Sequence, residues 1–600
     1  MSFLRACIKS DRPIRAATVR ERFSPGSTDR FLTGAARKSL FIHGLGKLSI
    51  RGSMVLVAAG VLLSPNEVRP CGGFCCQLVP IDPAGEQIIF RQDGNQVTAV
   101  VLIQYEGDAE DFSWVVPVPG IPELSIGSDL IFNPLELATR PQFNLEIIGE
   151  PCPRPVDCLI CPQPNLGGTG ADGEAPDDGV DILQSLSVGP FDVQIVTSDD
   201  PDALAQWLED NDYDLSDRGR DLIVPYVEED FNFVALRLRQ DQGVGDIQPL
   251  IMRYESDIPC VPIRLTAVAA LPDMGILVWL LGESRAVPLN YLHVTPNYTR
   301  LNWYAGPFNA YASYQGLITA AMNEAGGKGF ATDYAGRDLD VSSGLPNPET
   351  FTNELVRLSM IEDDAQVIAE AAFGFGFPQD KVLEILRREL PLPEGNDEFI
   401  YQVPELLRDT FSTEQLSTAR ANLVVELNES VIEPLEETLA VFEGDLYMTR
   451  FYTTLSPEEM TVDPIFSFNP DLEDQGLERK ATMEIECTLG GTRWSLTLGP
   501  GTGRDGERVI EGSGDPPGFF IPPPVIDQDS LFRSETVTTS GPPTLVTQKQ
   551  FGTYQVNDGS GGGVLRLCGF GVGQCGAGTA GILLLTMLGL RLMRTRRPTG

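Results

Sequence analysis

The sequence predicts an α+β protein: a mixed, strand-rich N-terminal domain, a helical middle region, a Gly/Pro-rich stalk and a single C-terminal transmembrane helix. Three patterns carry this prediction. Strand-length apolar or alternating runs dominate residues 71–345, with helices interspersed. Residues 346–446 carry helical periodicity, with Pro391 and Pro393 as breakers. Residues 501–567 are rich in Gly, Pro, Ser and Thr, and an apolar run follows them close to the C-terminus. Residues 1–70 read as a basic leader, 447–500 as an extended segment and 568–600 as a C-terminal sorting and anchoring signal.

The elements follow in chain order. Residues 1–51 are Ser/Arg-rich, and Met54 to Leu63 is a ten-residue apolar run, the length of a signal-peptide h-region and too short to span a bilayer. Lys47 and Arg51 supply its n-region, and Ser64-Pro65-Asn66-Glu67 offers no A-x-A cleavage pattern. Gln87 to Phe90, the turn Gln92-Asp93-Gly94-Asn95 and the alternating run Val97 to Tyr105 make a β-hairpin, because Asp-Gly supplies the positive φ of a tight turn. The second strand is apolar on both faces near its middle, so it belongs inside a sheet. Pro117 and Pro119 cannot donate ladder hydrogen bonds, so the strand through Trp114 ends there or runs along an edge. Phe191–Val196, Phe233–Arg239, Ile263–Val268, Ile276–Leu280 and Cys487–Leu498 read as strands. Asp200 is a natural N-cap and Pro201 fits the first helical position, with Leu204, Trp207 and Leu208 on one face. Helical periodicity runs through 354–361, 365–373, 379–390, 404–410 and 414–442.

Six hundred residues are too many for one core. A hydrophobic content of 42% with 21% charged residues is globular. The net charge of -40 is unevenly spread: residues 1–51 carry 11 Lys and Arg against 3 Asp and Glu, and the tail from residue 591 carries four Arg and no acid. The body between is therefore more acidic than the whole, which argues against nucleic-acid binding, and the basic ends flank membrane signals.

Cysteine placement fits an exported protein. Removing a leader that contains Cys7 leaves ten, of which Cys71, Cys75, Cys76, Cys152, Cys158, Cys161, Cys260 and Cys487 are disulfide candidates. Cys158-Leu159-Ile160-Cys161 also has the spacing of a zinc knuckle or a redox pair, but the chain holds only two His. At the C-terminus, a Gly/Cys segment with Cys568 and Cys575 precedes Ala577 to Met593, about 17 mostly apolar residues, closed by Arg591, Arg594, Arg596 and Arg597. The Arg cluster sets this tail in the cytoplasm.

With these residues in hand, two resemblances can be stated. Cys71-Gly72-Gly73-Phe74, Phe112 to Pro119, Ile263-Arg264-Leu265-Thr266-Ala267, Pro288-Leu289-Asn290-Tyr291 and Phe451 to Met460 together resemble the bacterial family called domain of unknown function 2330, over roughly residues 70–475. The resemblance implies an exported bacterial protein and brings no activity with it. The tail resembles the tripartite sorting signals of myxobacteria and their relatives: a Gly/Cys motif, one helix and an Arg cluster. Such signals imply processing by a membrane protease, with Cys568 or Cys575 in the anchoring role; the wide spacing of those two departs from the pattern.

Candidate chemistry is sparse. His293 is the one His outside the leader, so any Ser-His or Cys-His pair must use it, yet no G-x-S-x-G accompanies it. Asp210, Asp212 and Asp214 occupy positions 1, 3 and 5 of a calcium-type loop with Asp221 at position 12, but Leu215 stands where that loop needs Gly. An exposed helix-end turn explains the same residues, and no cofactor is predicted beyond this calcium option. Gly326-Gly327-Lys328-Gly329 lacks phosphate-loop spacing and reads as a turn; Glu110-Asp111 and Asp363-Asp364 read as solvated faces or helix N-termini. The expectation is an exported, membrane- or surface-anchored protein of a Gram-negative envelope, a binding or structural module for an unidentified envelope ligand or protein. The alternative is an envelope hydrolase or metal-dependent enzyme using His293 or the acidic site.

Overall fold

The computed structural model describes residues 85–103, 112–150, 152, 181–211, 213, 215–239, 242, 246–337, 339, 341–374, 376–393, 395–517, 532–548 and 554–556. The leader with its apolar run at 54–63, Cys71, Cys75, Cys76, Cys158, Cys161, and the tail with Cys568, Cys575, Ala577–Met593, Arg594, Arg596 and Arg597 lie outside these residues.

The chain opens on a hairpin of β1 (Glu86–Asp93) and β2 (Gln96–Leu102), turned at Gly94 with φ +60°. Then come β3 (Ser113–Val118), β4 (Glu123–Ile126), α1 (Phe132–Thr139), β5 (Gln142–Gly149), β6 (Asp181–Val188) and β7 (Phe191–Thr197). Helix α2 (Pro201–Asp210) is capped by the Asp200 carboxylate, as Asp-Pro predicts, and α3 (Asp217–Glu228) by the Ser216 hydroxyl. Next are β8 (Asn232–Leu238), β9 (Leu250–Glu255), α4 (Ile263–Thr266), β10 (Met274–Gly282), β11 (Ala286–Pro288), β12 (Leu292–Pro296), α5 (Gly306–Glu324) and β13 (Gly329–Gly336). The helical region holds α6 (Pro348–Ser359), α7 (Asp364–Ala372), α8 (Gln379–Glu389), α9 (Pro404–Thr410), α10 (Thr413–Leu427) and α11 (Glu433–Leu439). The chain then returns to strands: β14 (Tyr447–Leu455), β15 (Phe466–Phe468), β16 (Glu478–Thr488), β17 (Gly491–Leu498), β18 (Arg508–Ser513), β19 (Phe532–Thr536), β20 (Thr544–Gln548) and β21 (Tyr554–Val556).

A ten-stranded sheet in the order β20-β19-β12-β13-β14-β10-β1-β2-β9-β4 is the frame. Alternation along β1 sends Ile89 to one face and Ile88 and Phe90 to the other. On the Ile89 side the sheet packs on α1, α5 and the five-stranded sheet β21-β18-β17-β16-β5. On the Ile88 side it packs on the four-stranded sheet β3-β8-β7-β6, whose outer face carries α2 and α3 through Trp207, Ile223 and Tyr226. Strand β3 pairs only with β8, so Pro117 sits on an edge, as its missing N–H requires. The α6–α11 bundle has its own apolar core. It is tied back by polar contacts, among them the Gln248 amide donating to the Ser430 carbonyl at 2.6 Å and the Arg253–Glu437 ion pair at 2.6 Å.

Three sequence expectations need correction. Ile263–Thr266 is a helical turn and not a strand: Pro262 precedes it, and the Asp463 carboxylate takes the otherwise unpaired Arg264 N–H at 2.9 Å. The run over 414–442 is not one helix; a π turn at Asn428–Ile432 and a 3-10 turn at Ala440–Phe442 interrupt it, the first just ahead of Pro434, which has no N–H to offer. Within 447–500, β14 lies between β10 and β13 with all nine residues buried. Part of the stretch read as a stalk is sheet, with Val509, Ile510 and Val537 buried. Its glycines include one that serves close packing: a Cβ on Gly512 would come within 2.2 Å of the Trp494 ring. Among the described residues, no helix is long and apolar enough to cross a membrane.

Candidate functional site

Where the ten-stranded sheet faces β3, the two do not close completely. Ile88 and Phe90 of β1, Ala99 and Val101 of β2, and Met252 and Tyr254 of β9 form one wall. Trp114, Val116 and Val118 of β3 form the other, and Phe231, Cys260 and Pro262 complete the lining. The slot encloses about 480 Å³, including space open to solvent. Apart from Glu86 its lining is predominantly apolar, as that of small-molecule sites is.

Its one acidic lining residue is Glu86, at the start of β1 on the same face as Ile88. The side chain is 2% exposed and its Oε2 has no hydrogen-bond partner. Burial pushes the carboxyl up to about 8, against a smaller lowering by Thr266 and a further push from Asp463. Glu86 is therefore mostly a neutral acid at pH 7, able to donate. The sign of the linkage follows: between about pH 4.5 and 8 the folded chain keeps a proton that the unfolded chain releases, so this group lowers stability as pH rises. Glu86→Gln is expected to remove that slope, about 1 kcal/mol per pH unit, measured as urea midpoints at several pH values.

The base of this region is built around Asp463. Its carboxylate accepts from Tyr226 Oη at 2.9 Å, from the Arg264 N–H at 2.9 Å and from Arg264 Nε at 2.8 Å. Asn290 donates to its carbonyl at 2.7 Å, and Tyr291 Oη to the Val462 carbonyl at 2.7 Å. The Arg264 guanidinium lies over the Tyr226 ring, 4.5 Å from its centre. Thus the Ile263–Ala267 and Pro288–Tyr291 blocks converge on one residue, and the block through Trp114 forms the slot wall above it. Neither Glu86 nor Asp463 stood out in the sequence; an acid two residues ahead of Ile88-Ile89-Phe90, on the same strand face as Ile88, was the available signal.

His293 lies elsewhere, on β12 between β13 and β19. Its Nδ1 is 3.5 Å from Glu535 Oε2. Burial holds the imidazole below its ordinary value, while the hydrogen bond to His293 holds the Glu535 carboxyl below its own. A pocket of about 280 Å³ adjoins it, lined by Arg285, Pro288, Thr332, Phe451 and Val537 among others; no Ser or Cys is among the lining residues.

The acidic stretch divides. Asp210 accepts from Gln206 Nε2 at 2.7 Å, and Asp221 is exposed on α3. Asp212 and Asp214 lie outside the described residues. Tyr213 between them and Leu215 just after are buried with Trp207, so the segment is anchored by its apolar residues. Of the cysteines, Cys152 and Cys487 form a disulfide with Cα atoms 5.2 Å apart. Cys260, expected among the disulfide candidates, is a half-buried thiol lining the slot. Asp363, read as a solvated or helix-starting acid, caps α7.

A buried ionic cluster, unmarked in the sequence, lies on the opposite face of the large sheet. Asp333 and Arg450 are fully buried with 3.4 Å between Nη1 and Oδ2. Tyr314 Oη donates to the Asp333 carboxylate, Arg450 Nη2 to Tyr311 Oη at 3.1 Å, and Tyr311 Oη to Glu136 at 3.0 Å. Arg479 donates to Tyr298 Oη at 3.1 Å and to the Asp333 carbonyl at 2.9 Å.

Compared with known proteins, residues 70–355 match the family model described as uncharacterized protein conserved in bacteria, DUF2330. No curated protein and no solved structure matches the chain. The match takes in Glu86, β3, the Ile263–Ala267 and Pro288–Tyr291 blocks and His293, and stops short of the Phe451–Met460 block and Asp463. Over residues 70–355, just under half of its length, the chain is thus similar to DUF2330, a family of uncharacterized proteins conserved in bacteria.

Proposed function

We propose that this chain is an exported bacterial envelope protein, held at the membrane or cell surface by its C-terminal segment, whose folded body binds a ligand and performs no reaction. The observation that carries the binding half is the apolar slot with the neutral carboxyl of Glu86 in its wall. The Cys152–Cys487 disulfide supports export, since such bonds persist in oxidising compartments. The partners are then the membrane, a sorting protease acting near Cys568 or Cys575, and an envelope ligand. A reporter fused behind Gly120 is expected outside the cytoplasm, and deletion of residues 568–600 is expected to move the protein from the membrane to the soluble fraction. A reporter retained inside the cell, or unchanged fractionation of the deletion, would sink the localisation.

The second reading is an envelope hydrolase using His293. The close approach of its Nδ1 to Glu535 favours it, because that contact orients the ring with Nε2 as acceptor. It calls for turnover of an activated ester that His293→Ala abolishes; the binding reading expects none.

A further inference from the structure

We infer that the slot between the large sheet and β3 takes a small uncharged molecule with an apolar body and one hydrogen-bond-accepting end, and that this end is seated on the Glu86 carboxyl. The inference rests on the binding reading above and names its ligand class.

Three observations select that chemistry. The walls from β1, β2 and β3 are aliphatic and aromatic, so they favour an apolar body. No Lys or Arg lines the slot, so an anionic ligand would find no counter-charge and would face an acid. Glu86 Oε2 is buried without a partner, and a buried polar atom left unpaired is costly. A neutral carboxyl in the wall of an apolar slot is satisfied by an acceptor such as a ketone, ester or amide oxygen. A cationic ligand would need Glu86 ionised, placing two charges between apolar walls where their desolvation opposes the pairing.

The protonation of Glu86 is set by what surrounds it. Asp463, itself paired with Arg264 of α4, pushes it up, and Cys260 and Tyr254 are the other titratable groups of the lining. As pH rises past about 8 the carboxyl loses the proton it would donate and becomes a charge facing the acceptor's lone pair.

The test uses the purified full chain and three probes of one length: 2-hexanone, hexanoate and hexylamine. Binding is read by calorimetry and by thermal shift at pH 6.5 and 9.5. The ketone is expected to bind best at pH 6.5 and to weaken roughly tenfold at pH 9.5, with hexanoate weaker than the ketone at both. Glu86→Gln keeps a donor that does not titrate, so it is expected to retain ketone binding and lose the pH dependence. Glu86→Leu is expected to lose the preference for the ketone. Ketone binding insensitive to pH in the native chain, hexylamine or hexanoate binding more tightly, or no binding of the ketone at all would overturn the inference. Should Glu86→Leu fail to fold, the comparison of the native chain with Glu86→Gln still decides. Failure here leaves the fractionation result standing, whereas a chain retained in the cytoplasm overturns the localisation without touching this site.

Discussion

Asp333→Ala is expected to destabilise the protein by about 3–5 kcal/mol, the range for breaking a buried ion pair from one side. The carboxylate is fully buried, accepts from Tyr314 Oη and lies 3.4 Å from the Arg450 guanidinium. Removing it leaves Arg450, itself fully buried, with the more distant Glu136, at 3.9 Å, as its one remaining counter-charge among the described residues. Tyr314 Oη loses its acceptor in the same step. The effect is read as a shift of the urea midpoint at unchanged slope. Pairing Asp333→Ala with Arg450→Met should recover much of the loss, because the orphaned charge goes with its partner. A single-variant loss under about 1 kcal/mol would mean that solvent reaches the cluster and the pair is not isolated from water.

Reducing the Cys152–Cys487 bond is expected to cost about 2–5 kcal/mol. The bond joins residues 335 apart in sequence, and opening a long loop releases chain entropy in the unfolded state. In the folded chain the bond lies just beyond the parallel pairing of β5 with β16, which runs from Gln142↔Glu478 to Gly149↔Ile485. The measurement is thermal unfolding with and without reductant, alongside Cys152→Ser and Cys487→Ser. Both variants should match the reduced protein and respond no further to reductant.

Local features were legible in the sequence. Asp93-Gly94 marked the first hairpin, Pro117 and Pro119 required the strand through Trp114 to end or to run along an edge, and Asp200-Pro201 started α2. Each acts through the backbone of a few neighbouring residues, so no knowledge of the fold was needed. Pairings between distant residues were not legible. Strand β14 reads Tyr-Met-Thr-Arg-Phe-Tyr-Thr-Thr-Leu, and nothing in that run says that it lies between β10 and β13. Its Arg450 would suggest solvent; it is buried because Asp333, Tyr311 and Glu136 reach it from β13, α5 and α1. Glu535 faces His293 from a stretch whose Gly, Pro, Ser and Thr content suggests a stalk. Composition reports the average need for turns in such a stretch and hides the few apolar residues that lock short strands into sheets. Glu86 escaped notice for a related reason: its burial comes from the parallel neighbour β10 and from β3 across the slot, neither adjacent in sequence.

The position of β14 has a practical consequence for anyone working with the family-defining segment. A fragment cut at residue 355 would keep β10 and β13 but lack the strand that bonds to both. Two rows of unsatisfied amides and carbonyls would then open in the middle of the largest sheet, flanked by Trp279, Leu277 and Phe330. Such a piece should self-associate when expressed alone and recover solubility when a separate peptide spanning 447–455 is supplied.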